Sequence, residues 1–289
     1  MGFPILSFPK AIMKPMTRPP FRRRKLGRRL RQMREQSGMT VDEAALALDK
    51  KRNTLYRIEA GESLADVHLA RSMMDIYDVY LPNLLDDVRD AQKPGWWVNF
   101  GLKAMGYVDV ETEAYMVREL ALIHIPGLLQ TEHYMRAVFE AYSLKRSKAE
   151  LASQIKVRMI RQNRLTNEAE PLNLVALVDE CALRQMIGGP DVMRDQLNHL
   201  IMMAELSTVT LHVLPRGLGA HAGQTGSFTM VEFPDAEDSP LLYVEYPTGS
   251  IHVEDGEEVG RARLLLDHLL GRALGPDDSV AVIEQIIAE

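Results

Sequence analysis

Cysteine is all but missing from this chain. Cys181 is the one thiol in 289 residues, so no intramolecular disulfide can form, and the usage suits a reducing compartment. Tryptophan is confined to Trp96 and Trp97, and aromatic residues make up 6% of the chain. No stretch approaches the ~18 apolar residues that a membrane span needs. The spacings HExxH, CxxC and GxxxxGK do not occur, and His124, His133, His199, His212, His221, His252 and His268 are scattered without a ligand pattern. These absences speak against a disulfide-stapled scaffold, a helical membrane protein, a zincin and a P-loop enzyme. Neither metal nor cofactor is expected, no membrane partner, and no enzymatic activity.

What is present divides into two. The length suits two domains, and a hydrophobic content of 46% can fill their cores. The net charge of −6 conceals an asymmetry. Residues 1–60 hold 15 Lys/Arg against 5 Asp/Glu, a net +10, and the remainder holds 19 against 35, a net −16. A basic end on an acidic body points to a polyanion partner at that end. The first twenty residues carry Pro4, Pro9, Pro15, Pro19 and Pro20 and no basic segment of the signal-peptide kind, so residues 1–20 read as a disordered arm.

Residues 21–92 read as an all-α domain of five short helices. Leu26, Leu30 and Met33 recur at helical spacing. Gly38 stands where a left-handed residue ends that helix. Thr40 then caps the next one, with Glu43 three residues on completing a capping box. Ala45 is small where two crossing helices approach. Leu55 and Ile58 point inward from a third helix, which Gly61 terminates. Asp66 caps a fourth helix burying Leu69, Met73, Ile76 and Tyr77, and a fifth begins near Asn83. Two helices joined by a tight turn, the second carrying Lys51, Arg52, Asn53, Thr54, Tyr56 and Arg57 outward, form the layout of a helix-turn-helix whose second helix enters the DNA major groove. Lys51, Arg52 and Tyr56 are expected to face bases, and Asn53, Thr54 and Arg57 to hold the backbone. Arg22, Arg23, Arg24 and Arg28, leading into and along the first helix, are expected to neutralise phosphates or enter the minor groove. Double-stranded DNA is therefore the expected partner of this end.

The run from Leu26 to Arg34, then Arg34-Glu35-x-x-Gly38-Met39-Thr40, Ala45 and Arg57-Ile58-Glu59-x-Gly61, resembles the DNA-binding domain of Xre/Cro-type repressors. That resemblance implies operator reading by the helix beginning at Lys51, a DNA contact by the segment around Thr40, and a structural role for Glu59. The chain departs from the pattern at Val41 (usually Gln), Asp49 (the turn glycine), Lys50 (an apolar residue) and Lys51 (the capping serine).

Lys93-Pro94-Gly95-Trp96-Trp97 breaks the helical pattern, and residues 93–110 read as a linker. Residues 111–289 read as an α+β domain. Strands are expected at Tyr115–Ile125, Leu172–Val178, Val209–Leu214, Ser227–Phe233, Leu241–Tyr246 and Ile251–Glu254, alternating with helices and closing on two of them, Glu257–Leu274 and Asp277–Ile287. Glu180, Arg184, His212, His221 and Glu245 could face one site around the loop 217–223. A ligand or partner pocket, a catalytic group and ordinary buried hydrogen bonding remain open for them.

Ile125-Pro126-Gly127-Leu128-Leu129-Gln130-Thr131, Arg158-x-x-Arg161-Gln162, Glu180-x-x-Leu183-Arg184, Gln196-Leu197-x-x-Leu200, Val213-Leu214-Pro215, Gly223-x-x-Gly226-x-Phe228 and Tyr243-x-Glu245 occur in order. They are similar to a large actinobacterial regulator family that joins an Xre-type helix-turn-helix to a C-terminal domain of unassigned role. The resemblance implies an antitoxin-like transcriptional regulator in the cytoplasm, on the nucleoid. It also implies a small protein encoded by a neighbouring gene as partner. A homodimer is expected because helix-turn-helix monomers bind weakly, and a small-molecule effector stays open with the candidate pocket of the second domain. The alternative is an enzyme or toxin-like effector domain autoregulated by its N-terminal helix-turn-helix.

Overall fold

The computed structural model describes residues 19–102, 106–142, 147–235, 237–246 and 249–289. The chain divides into two units, Met1–Pro94 and Gly95–Glu289. The architecture is a helical domain followed by an α+β domain, in the order the periodicities indicate.

The first unit contains α1 (Phe21–Gln36), α2 (Val41–Ala47), α3 (Arg52–Glu59), α4 (Val67–Tyr77) and α5 (Leu84–Gln92). Leu26, Leu30, Met33, Leu55, Ile58, Met73, Leu84 and Val88 form its core. The caps act as their residue types suggest. Thr40 Oγ1 accepts from Glu43 N while the Glu43 carboxylate accepts from Thr40 N at 2.9 Å, and Asp66 accepts from Leu69 N. Gly38 and Gly61 both hold φ +73°.

α1 begins five residues before Leu26, the first of the expected apolar positions, because Pro20 sits at the N-cap and Phe21 is buried. The basic tract 22–25 is therefore the first turn of a packed helix and not part of an arm. Of the expected arm, residues 1–18 lie outside the described residues. Pro19 and Pro20 serve as acceptors for the start of α1.

The second unit starts earlier than expected. Residues 93–110 do not form a linker along their length. A 3₁₀ turn, Trp96–Phe100, and helix α6 (Gly106–Thr112) belong to it. Trp97 packs with Val108 and Val157, and Trp96 Nε1 donates to Thr112 Oγ1 at 3.1 Å. Large aromatic area is seldom left in water, and here it packs against Val108 of α6 and Val157 on a later helix.

Then follow β1 (Met116–Ala121), α7 (Glu132–Tyr142), α8 (Lys148–Gln162), β2 (Asn173–Asp179), α9 (Glu180–Arg184), α10 (Pro190–Ala204), β3 (Val209–Leu214), β4 (Phe228–Glu232), β5 (Leu241–Tyr246), β6 (Gly249–Val253), α11 (Gly256–Leu270) and α12 (Pro276–Ala288). The six strands form one mixed sheet in the order β3-β2-β1-β4-β5-β6. β1, β2 and β3 are parallel through helical crossovers, and β4, β5 and β6 are antiparallel additions.

Strand alternation puts Leu120, Leu177, Leu214, Phe228 and Met230 on one face, where Val259, Ala262, Leu266 and Leu269 of α11 cover them. The edge of β3 is protected by the C-terminal segment: Val213 N donates to Ser279 Oγ at 3.0 Å, and Leu274 N donates to Val213 O. Such cover removes an open edge. The loop 125–131 is clamped from three helices. Gln196 accepts from Thr131 N and donates to Leu129 O, both at 2.7 Å, Gln162 donates to Gly127 O and Gln130 O, and Tyr134 Oη accepts from Ile125 N.

Candidate nucleic-acid interface

Helix α3 is a two-faced element. Leu55, Ile58 and Glu59 are buried, whereas Lys51, Arg52, Asn53, Thr54, Tyr56 and Arg57 are exposed without exception. Tyr56 leaves 63% of its surface in water, and Leu46 of α2 leaves 84%. A tyrosine and a leucine that exposed beside four cationic or amide side chains are unusual for a solvated face alone.

The helix is held at its inner side by a buried ion pair. Arg34 of α1 meets Glu59 in two parallel bonds, Nε–Oε1 at 2.6 Å and Nη2–Oε2 at 2.9 Å, and its Nη1 donates to Met39 O at 2.8 Å. One bidentate contact thereby ties α1, the turn before α2, and α3 together. Burial and the neighbouring Glu59 carboxylate push the Tyr77 hydroxyl beside this pair up to about 12.

α1 crosses closely. A β-carbon on Gly27 would stand 2.5 Å from Glu59 O and 2.8 Å from Ile58 O. The turn between α2 and α3 depends on Asp49 at φ +53°, the position where the Xre-type pattern has glycine. Lys51, in the N-cap position of α3, gives no side-chain cap. The exposed cations are only loosely held: Arg52 Nε is 3.4 Å from Asp42 Oδ1, and Arg57 Nε is 3.5 Å from Glu62 Oε2. Exposed pairs of this kind are worth little and are readily exchanged for another anion.

The basic residues of α1 are placed differently from the sequence expectation. Arg24 is buried, with Nε donating to Pro19 O at 3.1 Å and its guanidinium 5.4 Å from the Phe21 ring centroid. Its expected phosphate contact is thus corrected to a structural role. Arg23 Nε donates to Ala91 O and ties α1 to α5. Arg22 and Arg28 are half-buried, the latter 5.5 Å from the same ring. Thr40 is exposed, and its hydroxyl is engaged with Glu43.

The five residues grouped in the second domain do not form one site. Glu180 pairs with Arg184 and accepts from Arg216 N at 2.9 Å, and Arg184 also pairs with Glu289. His221 Nε2 stands 3.3 Å from Asp179 Oδ2. His212 Nδ1 contacts Leu274 O at 2.9 Å, and its strand register places it beside Leu177. Glu245 is four strands away on β5, about 19 Å at the usual strand spacing. Glu180, Arg184 and the His221–Asp179 pair gather at the end of β2, while His212 and Glu245 do not join them. Glu119, which feels the Glu245 charge, and Tyr107, whose ring meets that of Tyr243, are absent from the sequence reading. The signal was a carboxylate at an inward strand position between Val117 and Ala121, both buried.

A compact helical unit with a positioned, exposed and cationic second helix defines a helix-turn-helix domain, the mark of a DNA-binding regulator. Residues 25–88 match the family described as helix-turn-helix domain. Residues 105–285 match the family described as domain of unknown function (DUF5753), and the chain belongs to that family. No curated protein and no solved structure matches the chain. Among the described residues, no helix is long and apolar enough to cross a membrane.

Proposed function

We propose that this protein is a sequence-specific, antitoxin-like transcriptional regulator that binds DNA as a homodimer. In this reading its acidic C-terminal domain provides dimerisation and receives a partner or signal, and it is not an enzyme. The observation that carries the reading is the division of α3, with Leu55, Ile58 and Glu59 fixed inside and every side chain from Lys51 to Thr54, with Tyr56 and Arg57, outside. Arginine and lysine can donate two bonds to guanine and asparagine can pair with adenine, whereas phosphate contacts orient without reading sequence. A dimer spaced by about one helical turn, ~34 Å, reads a pseudo-palindrome with added affinity. The antitoxin-like role and a small protein partner rest on the family resemblance of the C-terminal motifs.

The test is binding of the full chain to the DNA upstream of its own coding sequence as salt is raised. The wild type keeps a sequence preference, and Arg52→Ala lowers specific affinity about tenfold or more. The Arg52 side chain is exposed, so the variant's fold should survive. His221→Ala and Glu245→Gln leave the preference intact. A wild-type chain that prefers no sequence over bulk DNA as salt rises sinks the proposal.

A further inference from the structure

Opposite the face packed by α11, the sheet carries charge where hydrocarbon would be expected. Glu119, Thr229, Tyr243 and His252 stand in one cross-strand row on β1, β4, β5 and β6, and Glu245 follows two residues on from Tyr243 on the same face. The Tyr107 ring of α6 lies 4.7 Å from that of Tyr243, which in turn is 5.3 Å from the His252 ring. From α8, the Arg161 guanidinium lies 5.0 Å from the Tyr107 ring and is fully engaged by Glu111, at 2.7 and 2.5 Å.

Arg158, one turn earlier on α8, is not engaged in this way. Nη1 donates to Gln130 Oε1 at 2.6 Å, and the guanidinium lies 4.4 Å from the Phe139 ring. Its Nε is sealed from solvent and has no hydrogen-bond partner among the described residues. The Glu119 carboxylate likewise makes no hydrogen bond there, and it forms no ion pair with Arg158, although the two feel each other's charge.

Glu119, Tyr107, Arg158 and Tyr243 each keep part of their surface in contact with solvent. Burial is nevertheless the leading influence on all four titrations. Glu119 is pushed up to about 7, Arg158 down to about 10, and both tyrosines upward. Side chains enclosed by protein yet touched by solvent line a recess. Among the described residues, the other charged and titratable groups facing it are Glu111 and Arg161, Glu245, His252, and His124 in the loop after β1.

A charge withdrawn from water without a partner is unfavourable. Here a carboxyl group and a guanidinium are both withdrawn, in one recess, without pairing with each other. A cationic ligand would leave the guanidinium uncompensated, an anionic one would leave the carboxylate, and a molecule bearing both charges answers both. The paired tyrosine rings beside Glu119 suit the cationic end, which an aromatic face attracts.

We propose that this recess binds a small zwitterion of the α-amino-acid class, its ammonium received by Glu119 and Glu245 beside the Tyr107–Tyr243 rings and its carboxylate by Arg158. The assignment deepens the reading of the second unit as a signal receiver and names the signal's chemistry.

The test is calorimetry and thermal unfolding of the full chain with the twenty standard L-amino acids as probes, each at up to about 10 mM. At least one binds and raises the Tm. The decarboxylated amine and the deaminated acid of that probe each bind about tenfold more weakly or worse. Glu119→Gln and Arg158→Gln each weaken binding by a similar factor. Near pH 7 the wild type releases part of a proton on binding, read as a heat that varies with the buffer, and Glu119→Gln does not. Glu119→Gln removes an uncompensated charge, so its unliganded Tm is not below that of the wild type. It keeps the test decisive if Arg158→Gln fails to fold.

The proposal is overturned if none of the twenty binds, if the amine or the acid alone binds as tightly, or if Glu119→Gln binds like the wild type. No DNA is present, so an amino-acid binder without operator preference refutes only the DNA-binding proposal, and the reverse result refutes only this one.

Discussion

At Gly27 the missing β-carbon is what lets α1 cross the end of α3, since a methyl there would lie 2.5 Å from the Glu59 carbonyl oxygen. Asp49 is the opposite case, a β-carbon carried into a left-handed backbone at φ +53°. Helix propensity alone makes Gly27→Ala stabilising by up to about 1 kcal/mol. The crossing reverses the sign, because backbone cannot give way as a side chain tip can, and a loss of about 1–3 kcal/mol is expected. Asp49→Gly, by contrast, should raise stability by roughly 1 kcal/mol, since glycine accepts that backbone freely. Denaturant unfolding of the two variants checks both signs. A stabilised Gly27→Ala would mean that α1 and α3 cross elsewhere. The sequence pointed to Ala45 as the close approach, and Ala45 is buried. Gly27 escaped notice because its neighbour, Glu59, is remote in the chain and no local pattern announces the contact. The glycine-for-Asp49 exchange, in contrast, was visible at once, because a turn is a local matter.

Among the elements, β3 and β5 have the bounds their alternation indicates, and the Thr131 hydroxyl caps the start of α7, whereas β1 stops at Ala121, short of the expected Ile125, and α11 stops at Leu270, short of the expected Leu274. The capping box of Ser147 with Glu150 at the start of α8 obeys the same local chemistry. What β1 does with Glu119 was not legible, because alternation says which face a residue takes and nothing of what lies across from it. That carboxylate carries a consequence for stability. Desolvation among Tyr107, Glu111, Arg158, Arg161, Tyr243, Glu245 and His252 raises it from 4.5 to about 7. Between those values the folded state holds more of the proton than the unfolded chain does, so stability falls as pH climbs from about 4.5 through 7 and then levels. The full loss is on the order of 3 kcal/mol. Glu119→Gln should flatten this segment of the stability curve, measured by thermal unfolding at pH 5, 6, 7 and 8. A wild-type curve already flat across that window would contradict the raised titration.

Taken whole, the molecule is legible in its division and opaque in its second site. The charge asymmetry and the Lys93-Pro94-Gly95 break announce two units, yet the boundary falls after Pro94, because Trp96 and Trp97 find a hydrophobic partner in Val108 and Val157 rather than spanning a gap. The residues grouped around the loop 217–223 part company because neighbourhood across a six-stranded sheet depends on strand order, and β3 and β5 are separated by three strands.

That strand order also sets a timetable. The helical unit closes within residues 21–92, its tie from Arg23 to Ala91 spanning 68 residues. The sheet, in contrast, must bring Met116 to Glu232 before β1 has both of its partners. Low contact order favours fast folding, and long loops delay it. On the ribosome, at about 5–20 residues per second, the chain beyond Pro94 takes roughly 10–40 s to appear. The helical unit can be complete throughout that interval. Refolding the full chain under pulsed hydrogen exchange should protect amides of α1 and α3 before those of β1 and β4, and the reverse order would refute it. A nascent chain would then hold a finished helix-turn-helix while the second unit has yet to form, so, if that unit receives the signal as proposed, freshly made copies reach DNA ungoverned for as long as the sheet takes to assemble.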